Sequence, residues 1–124
     1  MRKLVAVLVS SACLAACGAT AQAKTVTVTG QVVDLVCYAK NPANTGLDHD
    51  DGRVCAIACV KWEGNPVGIV ASDGKVYQFA GGLVANNNAK IVPHLSHTVT
   101  VTGDVTEKDG MMMLSANDVT MVKK

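Results

Sequence analysis

This sequence of 124 residues contains few aromatic residues and no excess of basic charge. Aromatic side chains make up 3% of the chain, and 11 Lys and Arg residues are balanced by 10 Asp and Glu residues. Proteins that bind nucleic acid usually carry a clear basic excess, and base stacking needs several aromatic rings. The sequence therefore argues against a nucleic-acid partner. With only three prolines and 17% charged residues, the chain also has the composition of one folded domain rather than a disordered segment.

The apolar run near the N-terminus is too short to span a membrane. It covers Leu4 to Ala16 and follows the basic pair Arg2-Lys3. A spanning helix needs about 20 apolar residues, whereas a short run behind a positive start is typical of a secretory signal. We therefore expect residues 1–23 to be an export signal and residues 24–124 to be a single domain in the bacterial cell envelope.

Two cleavage positions are compatible with this signal. The stretch Leu14-Ala15-Ala16-Cys17 resembles a bacterial lipobox, in which Cys17 would become the lipidated N-terminus and tether the domain to a membrane. The stretch Ala21-Gln22-Ala23 has the small-x-small pattern of ordinary signal peptidase, which would cut before Lys24. Both alternatives predict export, as a lipid-anchored or as a soluble periplasmic protein.

The mature chain begins with the pattern of a bent strand. Residues 25–29 alternate between threonine and valine, which predicts a strand with one buried face, and the apolar positions change phase after Gly30. A glycine at a phase change indicates a bulge or a sharp bend. Residues 98–105 repeat the pattern of residues 25–32, so we expect two bent strands to lie side by side and close a barrel.

The order of the remaining elements predicts the fold class. Pro66–Ala71 and Lys75–Ala80 flank the turn sequence Ser72-Asp73-Gly74, a helix is expected over Leu83–Leu95, and a last strand over Met111–Val122. Three strands, a helix and two strands resemble the OB fold. We therefore predict a mainly all-β protein, a small five-stranded OB-like barrel with one or two short helices after an N-terminal signal segment.

The cysteines of the mature chain collect around an insertion at residues 38–65. A helix over about residues 52–62 would place Cys55 and Cys59, four positions apart, on one face. Cys37 immediately precedes the insertion. In an oxidising compartment three cysteines cannot all pair within one chain, so at least one is a thiol, a metal ligand or part of an intermolecular bond.

A histidine in the same insertion completes a candidate metal site. Thiolates and imidazole suit zinc or copper, and four such ligands close a tetrahedral site. Two alternatives stay open: a disulfide from Cys37 to a helix cysteine, in a scaffold domain for another envelope protein, and a redox-active thiol, against which the missing Cys-x-x-Cys counts. Without an orienting or oxyanion motif, we expect no enzyme. The predicted metal ligands are Cys37, His49, Cys55 and Cys59.

Methionine and histidine elsewhere are expected to have structural roles. Thioethers are ligands for Cu⁺, but alternate residues of a strand point to opposite sides, so residues 111–113 are expected to pack rather than bind metal. His94 and His97 lie near a predicted helix end and strand start. We expect them at capping or surface positions.

Several short motifs define a resemblance over residues 26–122. The motifs are Gly30-x-Val32-x-Asp34-x-x-Cys37-Tyr38, His49, Cys55-Ala56-x-x-Cys59, Asn65-Pro66-x-Gly68, Asp73-Gly74-x-x-Tyr77 and Val99-x-Val101-x-Gly103. With them, the chain resembles a family of small exported bacterial domains. The resemblance implies an OB-like barrel with a Cys/His cluster and brings no particular activity with it.

Overall fold

Strands account for most of the regular structure in the computed structural model, which describes residues 23–43 and 51–122. The order of pairing is β1-β2-β3-β5-β4, and β4 also pairs with β1, which closes the barrel. Only the β3–β5 pair is parallel among these strands. The predicted five-stranded OB-like barrel is confirmed. Its strands are β1 (Lys24–Asp34), β2 (Val67–Ala71), β3 (Val76–Ala80), β4 (Thr98–Lys108) and β5 (Met111–Ser115).

The repeated Thr-Val pattern forms the seam between β1 and β4. The two strands are antiparallel over residues 24–31 and 98–105, as the repeat predicts. The threonines face outward, and the hydroxyls of Thr27 and Thr102 lie 2.8 Å apart. The valines alternate with them and line the core, where Val99 and Val101 are fully buried.

Two glycines allow this seam to close. At Gly30, β1 passes from β4 to its second partner, β2. A Cβ atom at Gly30 would lie 2.1 Å from the carbonyl oxygen of Val70, and one at Gly103 would lie 2.3 Å from that of Ser115. No side chain fits such a separation, so the bend predicted at Gly30 lies where two backbones approach each other.

The segment between β3 and β4 differs from the predicted helix. The single helix expected over Leu83–Leu95 is wrong: a 3₁₀ turn at Gly81–Val84, a one-turn helix α3 at Ala85–Asn88 and a 3₁₀ turn at Val92–His94 replace it. Residues 86–88 are asparagines with φ between 54° and 61°, which is the left-handed region. The segment still closes one end of the core, through the buried Leu83, Ile91 and Leu95.

The last predicted strand is also interrupted. The expected strand Met111–Val122 is wrong as one element, because β5 ends at Ser115 and a short strand β6 (Thr120–Met121) pairs with the start of β4. The residues between β5 and β6 are hydrogen-bonded to the end of the barrel, where the backbone N–H of Leu83 donates to Ala116 O at 3.0 Å. β6 thus continues along the edge of β4 that β5 occupies, opposite the edge that pairs with β1.

Two helices occupy the insertion between β1 and β2. α1 covers Leu35–Lys40, and α2 covers Asp51–Trp62, close to the helix predicted there. Val60 of α2 is fully buried against the barrel. The side chain of Arg53 donates to Leu95 O and Pro93 O, both at 3.0 Å, so α2 is fastened to the barrel end.

No helix among the described residues is long and apolar enough to cross a membrane. Residues 1–22 of the predicted export signal, with Cys17 in its lipobox, lie outside the described residues.

Candidate metal site

The carboxylate of Asp34 holds the backbone of the site in place. Asp34 is the last residue of β1, is 2% exposed and caps the N-terminus of α1. Its Oδ1 accepts hydrogen bonds from the backbone N–H groups of Val36 at 2.8 Å and Cys37 at 3.2 Å. Its Oδ2 accepts one from the side-chain amide of Asn65 at 2.9 Å. The carboxylate thus fixes α1 and ties it to the chain entering β2.

The thiol of Cys37 consequently lies beside α2. The Sγ atoms of Cys37 and Cys59 and a carboxylate oxygen of Asp34 all lie within 4.8 Å of one another. α2 presents Cys59 in this direction because the neighbouring Val60 is buried in the core. One strand end and two helices therefore bring two sulfurs and one carboxylate together.

A third sulfur, that of Cys55, lies next to this cluster. Cys55 lies one turn before Cys59, its thiol hydrogen-bonds with that of Cys59, and its charge is close enough to affect Cys37. Cys55 is exposed, whereas Cys37 and Cys59 are half-buried. Among the described residues, no cysteine is part of a disulfide.

The cluster contains two of the four predicted ligands, Cys37 and Cys59, with Cys55 next to it, and one residue that the sequence did not assign, Asp34. His49 lies outside the described residues, so its role as a ligand stays a prediction. Asp34 was overlooked as part of the cluster, although an Asp directly before a short helical run is an N-cap signature. That signature also predicts that Cys37 follows within the first helical turn.

The surroundings of the thiols favour their protonated form. Burial, the hydrogen bond with Cys55 and the nearby charges raise the pKa of Cys59 to about 11. Burial is also the main cause that raises the pKa of Cys37, and the Asp34 carboxylate adds to it. A protonated thiol is a poor nucleophile, so these shifts do not favour Cys37 or Cys59 as a reactive thiol. A metal ion would have to displace these protons to bind.

The reactivity of Cys59 should therefore depend strongly on pH. In metal-free protein we expect its alkylation rate by iodoacetamide to rise about tenfold per pH unit from pH 7 to 10, because the thiolate fraction grows by that factor below the pKa. Fragmentation mass spectrometry of the peptide spanning residues 54–61 separates Cys59 from Cys55. A rate that levels off below pH 9 would contradict the raised pKa.

The capping role of Asp34 should be visible in stability. Replacing Asp34 by alanine removes the acceptor of two backbone amides and of Asn65, so the free energy of unfolding should fall by about 2 to 3 kcal/mol. Asp34→Asn is the matched control, because its Oδ1 still accepts from the amides, and it should lose about 1 kcal/mol. Urea unfolding of the metal-free protein measures both. Equal losses would show that the cap contributes little.

Comparisons of the chain with protein-family models, with curated proteins and with solved structures give no match. The function therefore has to be argued from the site itself. Two sulfurs beside a fixed carboxylate, with the sulfur of Cys55 next to them, form a soft ligand set that could hold a metal ion.

Proposed function

We propose that the protein is a non-enzymatic metal-binding module of the bacterial cell envelope. It holds one transition metal ion, zinc or copper, with the thiolates of Cys37, Cys55 and Cys59 and the imidazole of His49. The observation that carries the proposal is the convergence of sulfurs from α1 and α2 to within 4.8 Å. Thiolate and imidazole ligands select these metals over magnesium or calcium.

The separation of the sulfurs suits a tetrahedral ion. Metal–sulfur bonds of about 2.3 Å at tetrahedral angles place two sulfurs about 3.8 Å apart. The Cys37 and Cys59 sulfurs lie within 4.8 Å of each other, so side-chain rotation alone would bring them into place. Asp34 is already held by three N–H donors. We therefore assign Asp34 to orientation of Cys37 and assign metal coordination to the sulfurs.

Metal handling is favoured over a purely structural metal. The barrel has its own continuous hydrophobic core, which includes Val32, Ile69 and Leu114 and does not involve the cysteines. Folding of the strands therefore does not depend on the ion. Cys55 is exposed, which leaves one ligand accessible to an incoming thiol, whereas structural sites are usually closed.

Location and partners form part of the proposal. A lipidated Cys17 would tether the domain to a membrane, and cleavage before Lys24 would release it into the periplasm. In either place, an envelope protein that delivers or receives the ion would approach the exposed Cys55. No nucleic acid is expected to bind, because the chain after residue 23 carries nine basic against ten acidic side chains.

A disulfide-stapled scaffold domain is the second candidate function. The proximity of the Cys37 and Cys59 sulfurs supports it as well, because an oxidising compartment such as the periplasm favours oxidation of two thiols to a disulfide. Thiol titration and metal analysis of anaerobically purified protein separate the two candidates. Three thiols after metal release, with one equivalent of metal, support the metal module. One thiol and no metal would support the scaffold instead.

A further inference from the structure

A histidine and a methionine outside the cysteine cluster are in direct contact. The Nδ1 atom of His94 lies 3.0 Å from the Sδ atom of Met121. His94 ends the 3₁₀ turn at Val92–His94, and Met121 ends β6. Met121 is 42% exposed. An imidazole nitrogen and a thioether sulfur therefore meet at the surface of the barrel end.

Separate hydrogen bonds hold the two backbones in this position. On the histidine side, Arg53 binds the carbonyl oxygens of Pro93 and Leu95, and the N–H of His94 donates to Ile91 O at 2.9 Å. On the methionine side, β6 pairs Met121 with Val99 of β4. The contact is thus a product of the fold rather than of one flexible chain end.

The backbone around His94 is also tied to the residue three positions further along the chain. The backbone N–H of His97 donates to His94 O at 2.9 Å, and the next strand begins immediately after it. Burial lowers the pKa of His94, and the charge of His97 lowers it further. Imidazole binds a metal ion in its neutral form, in which one ring nitrogen has a lone pair to offer.

We propose that His94 and Met121 form a binding site for Cu⁺. Thioether sulfur is a soft, uncharged ligand that selects Cu⁺ and has little affinity for Zn²⁺, and imidazole binds copper well. This site is separate from the cysteine cluster and goes beyond the proposed function. It also contains no thiol, so oxidation of the cysteines would leave its ligands intact.

Binding requires a small opening of the contact. Metal bonds of about 2.0 Å to nitrogen and about 2.3 Å to sulfur need a nitrogen–sulfur separation about 1 Å larger than the present 3.0 Å. The exposed Met121 side chain has three rotatable bonds and can move outward by this amount. In the tautomer with its proton on Nδ1, a metal ion binds at Nδ1 once that proton has moved to Nε2, and in the other tautomer Nδ1 already carries the lone pair. A neutral imidazole therefore releases no net proton on binding.

The experiment uses the exported protein with Cys37, Cys55 and Cys59 replaced by serine, so that only the proposed site remains. Under anaerobic conditions, competition with a chromophoric Cu⁺ chelator should give one bound ion per chain. Met121→Leu should weaken Cu⁺ binding more than about 100-fold, because loss of even an outer-shell partner costs 10- to 100-fold. Met113→Leu on β5 is the matched control and should leave the affinity unchanged.

Two further measurements make the outcome decisive. The sulfur signal in the copper X-ray absorption spectrum should disappear in Met121→Leu, and His94→Ala should weaken binding more than about tenfold. If the serine variant does not fold, Met121→Leu in the native chain should remove one of two Cu⁺ equivalents. Absence of Cu⁺ binding, or a Cu⁺ affinity that Met121→Leu does not change, would overturn the proposal. The cysteine proposal would survive that result, since it is tested with Zn²⁺.

Discussion

Replacing Cys37 and Cys59 together by serine is expected to lower the affinity for Zn²⁺ more than about 1,000-fold. The two sulfurs come from different helices, and their atoms lie within 4.8 Å of each other. A serine hydroxyl stays protonated at neutral pH and is a weak zinc ligand, so one remaining thiolate and one imidazole would hold the ion poorly. Zn²⁺ is the appropriate probe, because the proposed His94–Met121 site would take up Cu⁺ but not Zn²⁺.

The control for this experiment adds a hydroxyl without removing a sulfur. Ala58 is exposed on α2 between the two helix cysteines, and Ala58→Ser should leave Zn²⁺ affinity unchanged. Calorimetric titration gives the affinities, and circular dichroism of the metal-free variants should show the strands intact. Stoichiometric, tight Zn²⁺ binding by the double variant would refute the ligand assignment.

Replacing Gly30 by alanine is expected to lower the free energy of unfolding by about 3 to 5 kcal/mol. The added Cβ would lie 2.1 Å from Val70 O and 2.8 Å from the Cα of Ala71. Both atoms belong to the backbone of β2, so no side-chain rotation relieves the overlap. The change acts where β1 exchanges one partner strand for the other, and it therefore forces the barrel to open locally.

Gly74 provides a control for this prediction. It has a φ of +86°, and a Cβ there would meet no atom within 4 Å. Asparagine tolerates left-handed backbone, so Gly74→Asn should change the free energy of unfolding by less than about 1 kcal/mol. Urea unfolding followed by circular dichroism measures both variants. Similar stabilities for the two would show that β1 and β2 do not approach closely at Gly30.

The closure of the barrel could be predicted because residues close together in the sequence signal it. The Thr-Val alternation marks which face of β1 and β4 is buried, and Gly30 marks where β1 needs a close backbone approach. Both signals depend on neighbouring residues only. The turn at Ser72-Asp73-Gly74 likewise follows from its own residues, since Asp73 accepts from the N–H of Lys75.

The two segments that were predicted wrongly both lie at the end of the barrel. The apolar residues Leu83, Ile91 and Leu95 suggest a helix, but residues 86–88 adopt the left-handed backbone that asparagine tolerates. The strand predicted over residues 111–122 ends early because Ala116 is engaged from both sides, donating to Ala80 O and accepting from Leu83. Both outcomes are set by the end of the barrel.

The sequence predicts which cysteines share a helix face, but it does not predict that Cys37 lies beside that face. The four-residue spacing of Cys55 and Cys59 predicts a shared helix face, and α2 provides it. That Cys37 meets this face depends on the cap at Asp34 and on its bond to Asn65, which is 31 residues away. Proximity of this kind is a property of the tertiary structure.

X-ray absorption at the edge of the bound metal tests the central claim most directly. For the protein loaded with one equivalent of Zn²⁺, we predict three sulfur neighbours at about 2.3 Å and one nitrogen neighbour at about 2.0 Å. A spectrum with only oxygen and nitrogen neighbours would show that the cysteines do not hold the ion.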